Sequence, residues 1–109
     1  MERKMDSERY SSSTIDDTAR LFRNIRCVKS IIGKNCCIGD DCDIEELVME
    51  DKSELGRRNV IRKSTIGKGS YTGTNTIIKN SDIGRYCSIS WNVSIGGGES
   101  QLSQSVLLY

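Results

Sequence analysis

Apolar residues recur between positions 32 and 95 in steps of six, six and five, so the pattern repeats every 17 residues. This spacing does not fit the i, i+3, i+4, i+7 rule of an amphipathic helix. It predicts three short strands per repeat, each directing one large side chain inward. The repeat positions are Ile32, Ile38, Ile44, Met49, Leu55, Ile61, Ile66, Thr72, Ile78, Ile83, Ile89 and Ile95.

Smaller residues follow four positions after the first and second apolar residue of each repeat. They are Cys36, Cys42, Ser53, Asn59, Ser70, Thr76, Cys87 and Val93. The interior of a narrow coil is crowded, and we therefore expect Cys36, Cys42 and Cys87 to fill the core. Seven of the ten glycines directly follow a repeat position, where a positive φ or a close backbone approach is tolerated. The pattern predicts an all-β fold, a parallel β-helix of about four 17-residue coils.

Charge supports the same register. Five opposite-charge pairs lie 17 residues apart and would stack on adjacent coils: Asp40–Arg57, Asp41–Arg58, Glu45–Arg62, Glu46–Lys63 and Asp51–Lys68. Such charge runs often form only a solvated surface. Their agreement with the apolar columns favours stacking.

The segment 14–26 permits two interpretations. Ile15, Ala19 and Phe22 fit one face of a short helix with Thr14 as its N-cap. Alternatively, the segment forms an irregular extra coil that starts near Leu21. We expect the coil, and we divide the chain into a mobile or irregular segment 1–20, a β-helix domain 21–98 and a tail 99–109.

Composition narrows the chemistry. The net charge is +1 and no apolar run of about 18 residues occurs, so neither nucleic-acid binding nor a membrane span is expected. The N-terminus lacks the apolar region of a signal peptide, which favours the cytoplasm and reduced cysteines. The sequence has no histidine, the commonest general base and zinc ligand, and no metal site is expected.

The spacing resembles that of the hexapeptide-repeat (left-handed β-helix) proteins over residues 21–98. The block from Ser70 to Gly98 is similar to the xenobiotic and capsular-polysaccharide O-acetyltransferase branch, which includes chloramphenicol and streptogramin acetyltransferases. The resemblance implies a left-handed coil, a homotrimer, acetyl-CoA as donor and a hydroxyl-bearing acceptor such as a sugar.

The resemblance also implies a histidine that acts as general base on the acceptor hydroxyl. In this family it follows an Ile-Gly-Gly segment, and here Ser100 occupies its expected position. No catalytic residue is therefore identified. A frameshift or truncation after residue 98 would explain why the resemblance stops there.

Three further residues are candidates for the acceptor site. Tyr71, Trp91 and Asn92 are expected on outward-facing turns, where they could wall the acceptor or pack against another subunit. Two functions remain open. One is an acyl-CoA-dependent O-acetyltransferase, or a fragment of one. The other is a non-catalytic β-helix module that serves structure or assembly.

Overall fold

The computed structural model describes residues 10–96, which form short β-strands and no helix. The strands are β1 Thr14–Ile15, β2 Arg20–Leu21, β3 Arg26–Val28, β4 Ile31–Ile32, β5 Cys37–Ile38, β6 Asp43–Met49, β7 Glu54–Leu55, β8 Val60–Ile66, β9 Tyr71–Thr72, β10 Ile77–Lys79, β11 Asp82–Ile83, β12 Ser88–Ile89 and β13 Ser94–Ile95.

Every strand pairing in the described residues is parallel and joins residues 17 apart, as in Ile44 with Ile61 and Met49 with Ile66. Strands β6 and β8 continue around one corner, so two sides of the coil merge into an eight-stranded sheet. The third side is a five-stranded sheet of β2, β5, β7, β9 and β12. The predicted parallel β-helix is confirmed, with about five coils.

The core is the stack of inward-pointing repeat positions. All twelve are buried, with exposures of at most 6%, and Thr72 is the most exposed of them. The apolar spacing therefore predicted both the coil length and the inward face of each strand.

The segment 14–26 forms a regular coil and not a helix. Strand β1 pairs with β4, β2 with β5, and β3 with β6, so pairing begins at Thr14 and not near Leu21 as we expected. The reason is backbone hydrogen bonding: the amide of Thr14 donates to Ser30 O (2.8 Å) and that of Arg20 to Cys36 O (2.8 Å). A helix would have used these donors internally. The tail 99–109 lies outside the described residues, and the three-part division stays a prediction.

Thr72 is polar because it has a buried partner. Its hydroxyl donates to Oδ1 of Asn59, whose side chain is completely buried. The Nδ2 of Asn59 donates to the carbonyls of Arg57 (3.0 Å) and Gly73 (2.9 Å). This network satisfies polar groups that would otherwise be costly to bury.

The glycines serve close approach more than positive φ. Among the described glycines, only Gly69 and Gly96 have positive φ, at 71° and 68°. A Cβ on Gly56 would instead collide with the backbone of Gly73 in the next coil. Non-glycine residues such as Asn75 (φ 61°) adopt the left-handed conformation at the corners.

The charge stacking is confirmed at one of the five expected pairs. Glu45 meets Arg62 at 3.5 Å, whereas the other four pairs form no ion pair among the described residues. Short acidic side chains bond to backbone instead: Oδ1 of Asp40 accepts from the amide of Arg23 (3.0 Å), and Oδ1 of Asp51 from that of Lys34 (2.8 Å).

The ion pairs that do form join three coils. Arg26 bonds to Asp43 at 2.6 Å, and Arg62 bonds to the same carboxylate at 3.1 Å. Glu45 lies within 3.6 Å of Arg26 and 3.5 Å of Arg62. Burial alone would raise the pKa of Asp43, but hydrogen bonds from both arginines outweigh burial and lower it.

Candidate functional site

The small inward residues are hydrogen-bond donors as well as space fillers. Cys36 Sγ donates to Glu50 O and Cys42 Sγ to Gly56 O, both at 3.1 Å. Ser70 Oγ donates to Gly84 O at 2.5 Å. Each of these bonds links one corner to the corner of the next coil, so these side chains hold the stack together.

This arrangement leaves the buried thiols chemically quiet. Cys36 and Cys42 are buried, as expected for core residues, while Cys87 is half-buried near the end of the described stack. Burial raises the pKa of Cys42 to about 11, and it also raises the pKa of Cys27. A thiol of this pKa is protonated near neutral pH and is a poor nucleophile.

The expected acceptor-site residues lie on the last two described coils. Tyr71 is on strand β9 and not on a turn, with its side chain 50% exposed on the five-stranded sheet. Trp91 and Asn92 do lie on a turn, directly after β12, and the Trp91 side chain is 71% exposed. Strands β9 and β12 are paired, with Tyr71 opposite Ser88, so the structure places these residues on neighbouring coils.

Tyr86 belongs to the same surface and was not found from the sequence. It lies on the turn before β12 and is 70% exposed. Its ring covers Gly69 of the coil beneath, because a Cβ at Gly69 would overlap the ring. The ring of Trp91 covers Gly73 in the same way. We call Tyr71, Tyr86 and Trp91 the aromatic platform.

A shallow cavity borders the Trp91 end of the platform. Its volume is about 260 Å³, and it is lined by Thr74, Asn75, Trp91 and Asn92. Oδ1 of Asn75 accepts a hydrogen bond from Arg58 Nε at 3.1 Å. The lining thus combines one aromatic ring with neutral hydroxyl and amide groups, which suits a neutral polar ligand.

Ser100, which stands where the resemblance places a histidine, lies outside the described residues. Within residues 10–96, no three His, Cys, Asp or Glu side chains group in a way that could hold a metal ion. None of the described residues forms a helix long and apolar enough to cross a bilayer.

No protein-family model and no curated protein matches this chain. Among solved structures, it is similar to a mutant of perosamine N-acetyltransferase from Caulobacter crescentus in complex with CoA and GDP-perosamine. The identity is 15%, the match covers 78% of this chain and 50% of that one, and the TM-score is 0.49. A second mutant, of the GDP-perosamine N-acetyl transferase from the same organism and with the same two molecules, has 14% identity, coverage of 73% and 50%, and a TM-score of 0.26. The chain spans about half the length of these structures, and similarity at this level does not establish what it binds or does.

Proposed function

We propose that the chain is part of an acetyl-CoA-dependent O-acetyltransferase that acts on a hydroxyl-bearing acceptor. The observation that carries the proposal is the position of Tyr71, Trp91 and Asn92. These residues belong to the block that resembles the acetyltransferases, and the fold gathers them on one exposed surface of adjacent coils. The same resemblance supports a left-handed coil, a homotrimer and a cytoplasmic location.

The division of labour follows from the residues present. The stacked coils supply a rigid wall for the acceptor, and positioning of this kind lowers reaction barriers substantially. A hydroxyl is a poor nucleophile until a base removes its proton, and the sequence has no histidine for that task. Serine at position 100 cannot take up a proton as imidazole does. The general base and the donor site therefore lie outside these 109 residues.

An acetyl-CoA thiol-release assay tests the proposal with two proteins. The first is the unmodified chain. The second carries Ser100→His followed by the downstream coils of a hexapeptide-repeat acetyltransferase. Both are assayed with a panel of hydroxyl and amino acceptors. We expect acceptor-dependent CoA release only from the second protein and only with hydroxyl acceptors, since a positioned base contributes about 10²–10⁴-fold.

Two results would count against the proposal. One is an extended protein that is folded and binds acetyl-CoA but acetylates no hydroxyl acceptor. The other is acceptor-dependent release by the unmodified chain that Ser100→Ala abolishes, because serine would then carry the chemistry itself.

The second candidate function is a non-catalytic assembly module. The observation that favours it is an exposed apolar pair, Ile31 and Val48, stacked on adjacent coils with exposures of 53% and 40%. Light scattering separates this candidate from a lone monomer. We expect a trimer, and a stable monodisperse monomer at micromolar concentration would contradict both the assembly role and the proposed homotrimer.

A further inference from the structure

The aromatic platform is continuous along the five-stranded sheet. Tyr71 lies two residues from Gly69 and two from Gly73, and these two glycines carry the rings of Tyr86 and Trp91. At about 3.4 Å per residue, each glycine is roughly 7 Å from Tyr71 along the strand direction. The three exposed rings thus occupy neighbouring positions and not separate sites.

The backbone beneath the platform fixes its two outer rings. Neither Gly69 nor Gly73 can carry a Cβ while Tyr86 and Trp91 keep their places, so each ring rests directly on the main chain of the coil below. A ring held in this way loses little conformational freedom when a ligand covers it. Rigid, amphipathic aromatic side chains are the usual anchors of recognition surfaces for this reason.

The polar groups around the rings are mostly neutral. Thr74, Asn75 and Asn92 line the cavity at the Trp91 end, and Ser88 lies opposite Tyr71. Since Arg58 occupies the oxygen of Asn75, this side chain offers a ligand its Nδ2 donor. The paired neighbour of Tyr71 on the other side is the acidic residue Glu54.

We propose that the aromatic platform binds a neutral saccharide, with a C–H face of the sugar against the rings and its hydroxyls bonded to Asn75, Asn92 and Thr74. Apolar rings beside neutral donors and acceptors match a molecule that has one apolar face and many hydroxyls. This inference rests on the proposed function, because it identifies the acceptor class and adds Tyr86 and Asn75 to the acceptor surface.

Single-stranded nucleic acid is the other ligand class that uses exposed rings. Its binding requires a basic groove for the phosphates. The cavity lining is uncharged and Glu54 adjoins Tyr71, which would repel a phosphate backbone. The observations therefore favour the saccharide.

The sequence supplies its own probe, because Trp91 is the only tryptophan. Its fluorescence is titrated with neutral mono- and oligosaccharides and with a single-stranded oligonucleotide, in the absence of acetyl-CoA. We expect a saturable change with a neutral oligosaccharide. Tyr71→Ala and Tyr86→Ala should each weaken binding roughly tenfold, as expected for the loss of an aromatic anchor. Phe22→Ala is the matched control, because Phe22 is also an exposed aromatic residue but lies on the first coil.

Calorimetry with Trp91→Ala and Asn75→Ala covers the two positions that the fluorescence probe cannot report separately. Circular dichroism shows that each variant is folded. Three outcomes would overturn the proposal: no saturable change with any neutral saccharide, equal weakening by Phe22→Ala, or salt-dependent binding of the oligonucleotide alone. Because no donor is present, failure to bind a saccharide is distinct from failure of acetyl transfer.

Discussion

Two adjacent isoleucines offer a matched test of which side of each strand faces the core. Ile32 is 2% exposed and points inward, whereas Ile31 is 53% exposed and points outward. Both side chains have the same chemistry and lie in strand β4, so they differ only in the face that they occupy. Replacing each by alanine removes the same atoms from two different environments.

The expected losses in the free energy of unfolding differ clearly. At the buried position, Ile32→Ala removes the transfer free energy and leaves a cavity, for a loss of about 2–5 kcal/mol. At the outer position, about half of the side chain is already in water, and Ile31→Ala should cost roughly 1 kcal/mol or less. For a domain of this size, each kcal/mol lowers the Tm by about 4–8 °C.

Urea unfolding followed by circular dichroism measures both losses. If Ile32→Ala does not fold, Ile32→Val should still fold with a loss of about 0.5–1.5 kcal/mol. The pair Ile77 and Ile78 repeats the comparison in strand β10, where Ile78 is the buried member. Equal losses, or a greater loss at Ile31, would refute the assignment, because a shift of one residue in register exchanges the two faces of a strand.

Two other predictions concern polar contacts. Asp43→Asn should lower the free energy of unfolding at pH 7 by roughly 1 kcal/mol or less, as for a surface ion-pair network. Because the pKa of Asp43 is lowered in the folded chain, its contribution is present above the ordinary value of 3.8 and is lost as the pH falls below it. The variant and the parent should therefore converge near pH 2 in acid titrations of stability, and Asp82→Asn, outside this network, should show no such pH-dependent difference. Asn59→Ala leaves two carbonyls and the Thr72 hydroxyl without their buried partner. We expect a loss of about 2–3 kcal/mol or more in urea unfolding; a loss below about 0.5 kcal/mol would show that water replaces the amide.

The apolar columns were predictable because burial in a coil of constant length forces large side chains into strict repetition, as Ile44, Ile61 and Ile78 show. The charge pairs were less predictable. A long arginine such as Arg62 reaches two carboxylates, whereas a short aspartate such as Asp40 finds a backbone amide closer than the next coil's arginine. Spacing fixes which residues stack, but side-chain length decides which atoms meet.

The small inward residues illustrate a second limit. We interpreted Cys36, Cys42 and Ser70 by size, yet all three donate a hydrogen bond to the next coil. Their shared donor group was visible in the sequence and is the signal that size alone concealed.

Tyr86 was missed for a related reason. Its membership of the platform depends on a glycine 17 residues earlier, Gly69, and Trp91 has a similar seat on Gly73. A search for aromatic residues stacked above glycines at the coil spacing would have found both rings. Ser100 offers no comparable signal, because its role was inferred from resemblance alone.

The 17-residue register underlies both the core and the aromatic platform, and nuclear Overhauser contacts in isotope-labelled protein test it directly. We predict contacts between strands at Ile44, Ile61 and Ile78, and between Tyr71 and Ser88, all with parallel geometry. Antiparallel contacts, contacts at a different sequence separation, or helical i, i+3 contacts across residues 44–78 would contradict the β-helix and with it the surface on which the proposed function depends.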